Sequence, residues 1–152
     1  MLAHYQSPLG TIELTFDGEA LTGLRFVSPV ADCATTPSIL HSDIIRWLDL
    51  YFSGRQPDFM PKMLMRGSPF QEMVWGQLLN IPYGQTMTYG ELARRVGCRS
   101  AQAVGGAVSR NPIALVVPCH RVIGSNGALT GYAYGLDRKR YLLELENTPL
   151  AR

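Results

Sequence analysis

The chain has 152 residues, 46% of them hydrophobic, with 14 Lys/Arg against 12 Asp/Glu and a formal net charge of +2. That is one medium domain or two small ones, with enough apolar content for an ordinary core. No apolar run reaches membrane-spanning length, and "MLAHYQSPLG" lacks a charged region followed by an apolar stretch, so a cytoplasmic protein without a membrane partner is expected.

"LGTIELTFDGEALTGLRFV" alternates apolar and polar residues around Asp17-Gly18 and predicts a β-hairpin. "TPSILHSDIIRWLDLYFSG" predicts a helix, with Thr36 as N-cap, Pro37 in the first helical position and Gly54 past the end. The Pro- and Met-rich "RQPDFMPKMLMRG" reads as a linker between two parts, residues 1–66 and 67–152. Ser68-Pro69-Phe70-Gln71 is a capping box that opens a helix carrying Phe70, Val74 and Leu78, and "IPYGQ" ends it. Thr88-Tyr89-Gly90-Glu91 is a second box, starting a short helix that Gly97 stops. Ser100 caps the next helix, "AQAVGGAVSR", which runs to about Asn111. Two short helices joined by "GCRS" match a helix-turn-helix, a pattern shared by plain helix packing and by DNA-binding modules. The second helix offers almost no bulk in its first turns (Ala101, Gln102, Ala103, Gly105, Gly106). Such a face suits close packing on another element or close approach to a groove, with Arg94, Arg95, Arg99 and Arg110 near phosphates.

In "LVVPCHRVIG", Leu115, Val116 and Val117 read as a buried strand that Pro118 closes. Cys119 and His120 are the only Cys-His neighbours in the chain. On an extended segment they would point to opposite faces, so either the chain bends there or a water couples them. Beyond them, Asn126-Gly127 marks a turn, "TGYAYG" is a glycine-hinged loop, and "LDRKRYLLELE" is a closing helix with Glu144 and Glu146 near its end. A thiolate nucleophile needs a base, and the base needs an orienting acceptor. Cys119, His120 and one of the two glutamates can supply that relay.

The three cysteines, Cys33, Cys98 and Cys119, share no CxxC spacing, which argues against a disulfide framework or zinc knuckle. His4, Cys33 and His41 are irregularly spaced and read as scattered residues, so no metal is expected. Charge is unevenly divided. Residues 1–66 hold five Lys/Arg against seven Asp/Glu; residues 67–152 hold nine against five. The basic half either faces an anionic partner or is a solvated basic face.

"PCHRVIGSNGALTGYAYGLDRKRYLLELE", with "NPIALVV" and "SPFQEMVWGQLLNIPYGQTMTYGELA" before it, resembles the O6-alkylguanine-DNA alkyltransferases, the methylated-DNA–protein-cysteine methyltransferases. The likeness covers nearly all of residues 67–152 and extends more weakly to "SPLGTIEL" and "LTGLRF". It implies an α/β protein: a short ribonuclease-H-like N-terminal domain, then a mostly helical, winged-helix-like C-terminal domain with a helix-turn-helix. It also implies DNA repair by direct reversal, in which a monomer binds alkylated double-stranded DNA through the minor groove and flips the lesion into a pocket. The alkyl group of O6-alkylguanine, and of O4-alkylthymine, passes irreversibly to the protein with no cofactor.

Carried over by resemblance, Cys119 is the acceptor, His120 its base through a water, and Glu146 the carboxylate orienting that histidine. Asn111 holds the active-site turn, and Tyr89 protonates the guanine. Ala101, Gln102, Ala103, Arg94, Arg95, Arg99, Arg110 and Arg121 face DNA, and Tyr132, Ala133 and Tyr134 wall the pocket. A non-catalytic alkyltransferase-like protein shares the fold but carries tryptophan in the cysteine position. A helix-turn-helix regulator would need no Cys-His pair, and nothing here resembles the oxyanion loop of a cysteine hydrolase. Two positions depart from many relatives: Gln102 replaces an intercalating arginine, and Tyr134 replaces glycine.

The first departure yields a test. Gln102→Arg adds a charge near phosphates and a larger plane for the vacated stack. It is expected to tighten binding to O6-methylguanine duplexes or speed transfer, with the charge part of the gain fading at higher salt. No gain at either of two ionic strengths would show that Gln102 already supports the flipped base.

Overall fold

A computed structural model describes residues 2–29 and 41–148. The chain divides into two compact units, one of residues 1–66 with 112–114, the other of residues 67–111 with 115–152.

The first unit is built on an antiparallel meander of β1 (Leu2–Ser7), β2 (Gly10–Asp17) and β3 (Ala20–Val27). The expected hairpin is β2–β3, turning at Gly18 (φ 60°), and β1 adds a third strand that sequence reading missed. Alternation places Ile12, Leu14 and Phe16 on one buried face. α1 (Ser42–Phe52) buries the stripe Ile44, Trp47, Leu48 and Tyr51, spaced as one helix face. The expected N-cap Thr36 and Pro37, together with Cys33, lie outside the described residues. Tyr5 ties sheet to helix by donating to Asp49 at 2.6 Å and packing on Phe52.

The segment expected as a linker is partly docked. Leu21 donates to the Lys62 carbonyl (2.8 Å) and Leu64 donates to that of Leu21 (2.9 Å). Farther along β3, Leu24 pairs in the same way with Pro112 and Ala114. Both pairings satisfy backbone groups on the strand edge that β2 leaves open.

The second unit is mostly helical, and its helices begin where their caps require. Ser68 accepts from the Gln71 amide (3.1 Å) while the Gln71 side chain accepts from the Ser68 amide (3.0 Å), opening α2 (Pro69–Leu78). α3 (Tyr89–Arg95) follows β4 (Met87–Thr88), with Thr88 as N-cap. Here only half the box forms, because the Glu91 carboxylate meets the Thr88 hydroxyl rather than its amide. Gly97 reverses the chain at φ 67°, and Ser100 caps α4 (Ala101–Ser109). Trp75 of α2 donates its indole N–H to the Ala107 carbonyl of α4 at 2.8 Å. β5 (Val122–Ile123) runs parallel to β4, and α5 (Leu136–Leu145) closes the unit.

Leu115–Val117 is not the strand expected. These residues are buried, but the chain turns through them, with Leu115 in the left-handed region at φ 70°. An apolar run reports burial, and it reads the same in a strand and in an irregular buried segment. The backbone groups are satisfied locally instead: Asn111 Nδ2 donates to the Val117 carbonyl (2.7 Å), and so does the Cys119 amide (2.8 Å).

Ser68→Ala removes the hydroxyl half of the complete capping box. The expected loss is about 1 kcal/mol, read as a fall in Tm of a few degrees. An unchanged Tm would mean that Pro69 and tertiary packing alone set the start of α2.

Candidate active site

Pro118 cannot extend a ladder, and after it the chain tightens into a 3-10 turn, Cys119–Arg121. That bend resolves the Cys-His problem: the side chains diverge from a turn rather than alternate along a strand. Cys119, 6% exposed, meets a cavity of about 390 Å³. Tyr89 of α3, Gly105, Val108 and Ser109 of α4, and Gly131, Tyr132 and Ala133 of the glycine-hinged loop form its walls. Tyr89 lies near glycines on both sides. A Cβ on Gly105 would stand 4.0 Å from its ring, and one on Gly131 3.6 Å from its hydroxyl.

His120 is fully buried, and its Nε2 lies 2.6 Å from Glu146 Oε2. The other carboxylate oxygen, Oε1, accepts from Arg121 Nε (2.7 Å) and from the Gly84 amide (3.4 Å). The carboxylate that meets His120 is therefore Glu146 at the end of α5, while Glu144 is exposed. Burial alone would raise the Glu146 carboxyl. The hydrogen bonds and charges of His120 and Arg121 outweigh it and hold the group down at about 2. For His120 burial wins, and its pKa is lowered despite the carboxylate.

Arg121 was expected at the DNA surface, and the structure corrects this. It is buried, its Nη1 donates to the Ile81 carbonyl (2.8 Å), and its guanidinium lies 5.7 Å from the Tyr83 ring centroid. With Nε on Glu146 as well, it is an internal tie, since a charge so enclosed needs its partners at home. Arg94, Arg95, Arg99 and Arg110 are exposed, as are Ala101, Gln102 and Ala103 on the first turn of α4. Ala101, Gln102 and Gly105 border a shallow groove shared with Tyr89, Thr130 and Gly131, close to the thiol cavity.

Tyr134 is also displaced from its expected place. The loop residues lining the cavity are Gly131, Tyr132 and Ala133, and Tyr134 packs edge-on against Tyr132 with ring centroids 5.5 Å apart.

Lys139 is a site residue that sequence reading missed. It is fully buried on α5, and its ammonium donates to the carbonyls of Val122, Thr130 (3.0 Å) and Gly131 (3.1 Å). Burial lowers its pKa to about 8, while the nearby Cys119 thiolate acts the other way. In "LDRKRYLLELE" it is one of three neighbouring basic residues, and only helical phase relative to the buried Leu142 and Leu143 marks it as inward. Burial raises the Cys119 thiol itself. A hydrogen bond from Asn111, the Lys139 charge and backbone amides oppose that rise. Desolvation outweighs these lowering influences.

Residues 69–148 match the model for the 6-O-methylguanine DNA methyltransferase DNA-binding domain, and residues 2–61 that for the family's ribonuclease-like domain. The chain belongs to this family. A methylated-DNA–protein-cysteine methyltransferase of Methanosarcina acetivorans is 45% identical, covering 96% of this chain and 97% of its own. One from Mycobacterium bovis is 43% identical, covering 97% and 94%. The crystal structure of Mycobacterium tuberculosis OGT in complex with DNA superposes with a TM-score of 0.85 at 45% identity, over 95% of this chain and 91% of that one. The two-domain fold is the one these relatives share.

Glu146 sets two expectations. Glu146→Gln should slow alkyl transfer more than Glu144→Gln, read as single-turnover rates at neutral pH. Because the folded carboxyl is depressed, it stabilises the fold above its unfolded pKa and loses that contribution as pH falls toward about 2. Acid unfolding of the wild type should therefore be steep between about pH 4.5 and 2, and shallower in Glu146→Gln. Equal rates or equal acid slopes would remove Glu146 from its assigned place.

Proposed function

We propose that this protein repairs DNA by direct reversal, moving an alkyl group from O6-alkylguanine in double-stranded DNA onto Cys119. The observation that carries this reading is a buried cysteine on the wall of a base-sized cavity, next in sequence to a histidine locked to a buried carboxylate. The exposed arginines and the low-bulk turn Ala101–Ala103 approach the minor groove, and the lesion leaves the stack to enter the cavity. Extrusion costs a few kcal/mol. Phosphate contacts by Arg94, Arg95, Arg99 and Arg110 position the protein on the duplex without reading its sequence.

Glu146 holds Nε2 of His120, so Nδ1 takes the thiol proton, relayed by a bridging water. The thiolate then attacks the alkyl carbon in line. The S–C bond forms, the C–O6 bond breaks, and the released electron pair enters the guanine ring. Tyr89 supplies the compensating proton to the base. Burial keeps that phenol protonated until a base arrives to receive the hydrogen, its pKa being raised by desolvation and then by Cys119. Asn111 holds the turn through the Val117 carbonyl and bonds the sulfur. Nothing in this scheme restores the thiol, so each molecule acts once.

Residues 1–66 and 67–152 act as two domains, with the chemistry in the second. The reaction takes place in the cytoplasm on the cell's own DNA, without a cofactor. O4-alkylthymine is a second substrate of the same cavity, and the protein works as a monomer.

Incubation with an O6-methylguanine duplex should raise the intact mass by one CH2, with peptide mapping placing it on Cys119. Cys119→Ser should abolish the gain while retaining binding to damaged DNA. A methyl group found on Cys33 or Cys98 would overturn the assignment.

A further inference from the structure

We infer that Lys139 latches the wall of the lesion cavity: its ammonium ties the backbone of Thr130 and Gly131 to the strand that follows Cys119, and so sets how firmly an extruded base is held. This is a positioning role, and it rests on the reading that an alkylated base enters that cavity.

Between Ile123 and Leu136 the chain forms neither strand nor helix, yet Gly131, Tyr132 and Ala133 of this stretch wall the cavity. Gly131 (φ 58°) and Gly135 (φ 96°) flank Tyr132, Ala133 and Tyr134, both in the left-handed region where glycine turns at little cost. Across the segment so hinged, a backbone bond runs from the Gly135 amide to the Tyr132 carbonyl (3.0 Å). Further ties come from side chains of α5. Arg138 Nη1 donates to the Tyr134 carbonyl (3.2 Å), and Lys139 Nζ donates to the carbonyls of Thr130 (3.0 Å) and Gly131 (3.1 Å). The third Lys139 bond, to the Val122 carbonyl, reaches β5 at the far end of the loop.

Lys139 is the one of these two that joins separate elements. Arg138 reaches back to the residue just before its own helix, whereas Lys139 holds the cavity wall against β5. An ammonium has three N–H donors, and here all three go to backbone carbonyls from a fully buried residue. A cation away from water is costly unless its donors are met, and bonds from a charged donor are the strong class. The carbonyls gain as well, since an irregular loop offers them no ladder. A wall fixed before the base arrives does not have to be ordered by it, so less binding free energy is lost on the loop. With the wall released, only molecules that hold it in place can take the base, and apparent affinity falls by that fraction.

The test is Lys139→Met, which keeps the length and apolar stem of the side chain and removes its charge and donors. Hydrogen exchange in the free protein reads the latch without DNA, and the Gly135 amide should exchange at least about tenfold faster than in wild type. In the Cys119→Ser background, affinity for an O6-methylguanine duplex should fall about tenfold, as for a wall in place in about one molecule in ten. Affinity for the undamaged duplex should not change, because the exposed arginines and the first turn of α4 are untouched. Lys139→Ala, held in propylammonium chloride or in equal sodium chloride, is the second variant for the case in which Lys139→Met does not fold. The free amine should slow exchange at Gly135, and equal exchange in the two salts would overturn the inference. Unchanged exchange in Lys139→Met would overturn it too; if the pH profile of Cys119 modification by iodoacetamide shifted all the same, Lys139 would be a charge beside the sulfur and no latch. Equal losses of affinity on both duplexes would count against it as a general loss of structure. Faster exchange in a protein whose wild type does not prefer the lesion duplex would uphold the latch and sink the reading that an alkylated base enters the cavity.

Discussion

One carboxylate organises the chemistry of this protein. Glu146 sits at the end of α5 with its side chain shut away from water, accepting from His120 on one oxygen and from Arg121 and the Gly84 amide on the other. Three stretches far apart in sequence therefore meet on one group: the Ile81–Gly84 turn, the 3-10 turn and the closing helix. An ionised carboxylate in such a place would be untenable alone. With two partners of opposite charge or polarity it is held ionised, and removal of either partner would strand a buried charge at a cost of about 3–5 kcal/mol. The arrangement leaves His120 one orientation, as its proposed role as the base requires.

The thiol is set up differently. Desolvation dominates at Cys119 and raises its pKa, which favours the thiol over the thiolate at rest. Asn111, Lys139 and the backbone amides lower the cost of ionisation without removing it. For a nucleophile used once, this is a sensible balance. A thiolate exposed at all times is prone to oxidation, whereas a buried thiol waits for its base. Lys139 joins the two halves of the problem, since the ammonium that favours a thiolate also pins the carbonyls of Thr130 and Gly131, and Gly131 is part of the cavity wall.

Local chemistry was legible in the sequence. Ser68, Thr88 and Ser100 cap the helices they precede, and Gly97 turns where a left-handed residue is needed, because capping depends on a few adjacent residues. Burial of Leu115–Val117 was legible too, but their shape was not, since it is decided by Asn111 and by backbone bonds that no periodicity records. Charge misled at Arg121: a basic residue next to an active-site histidine looks exposed until the carboxylate that encloses it is known. The inward lysine, Lys139, hid among basic neighbours for the same reason. The choice between Glu144 and Glu146 came from family resemblance and not from spacing. The structure brings Glu146 to the histidine and leaves Glu144 in solvent.

The central claim is that a buried carboxylate fixes His120 as a neutral ring bonded through Nε2, with Nδ1 as the basic nitrogen. Nitrogen-15 chemical shifts of the His120 ring at neutral pH test this directly, because the two tautomers and the imidazolium give distinct patterns. The account predicts a protonated Nε2 and an unprotonated Nδ1. A proton resident on Nδ1, or an imidazolium at neutral pH, would contradict it.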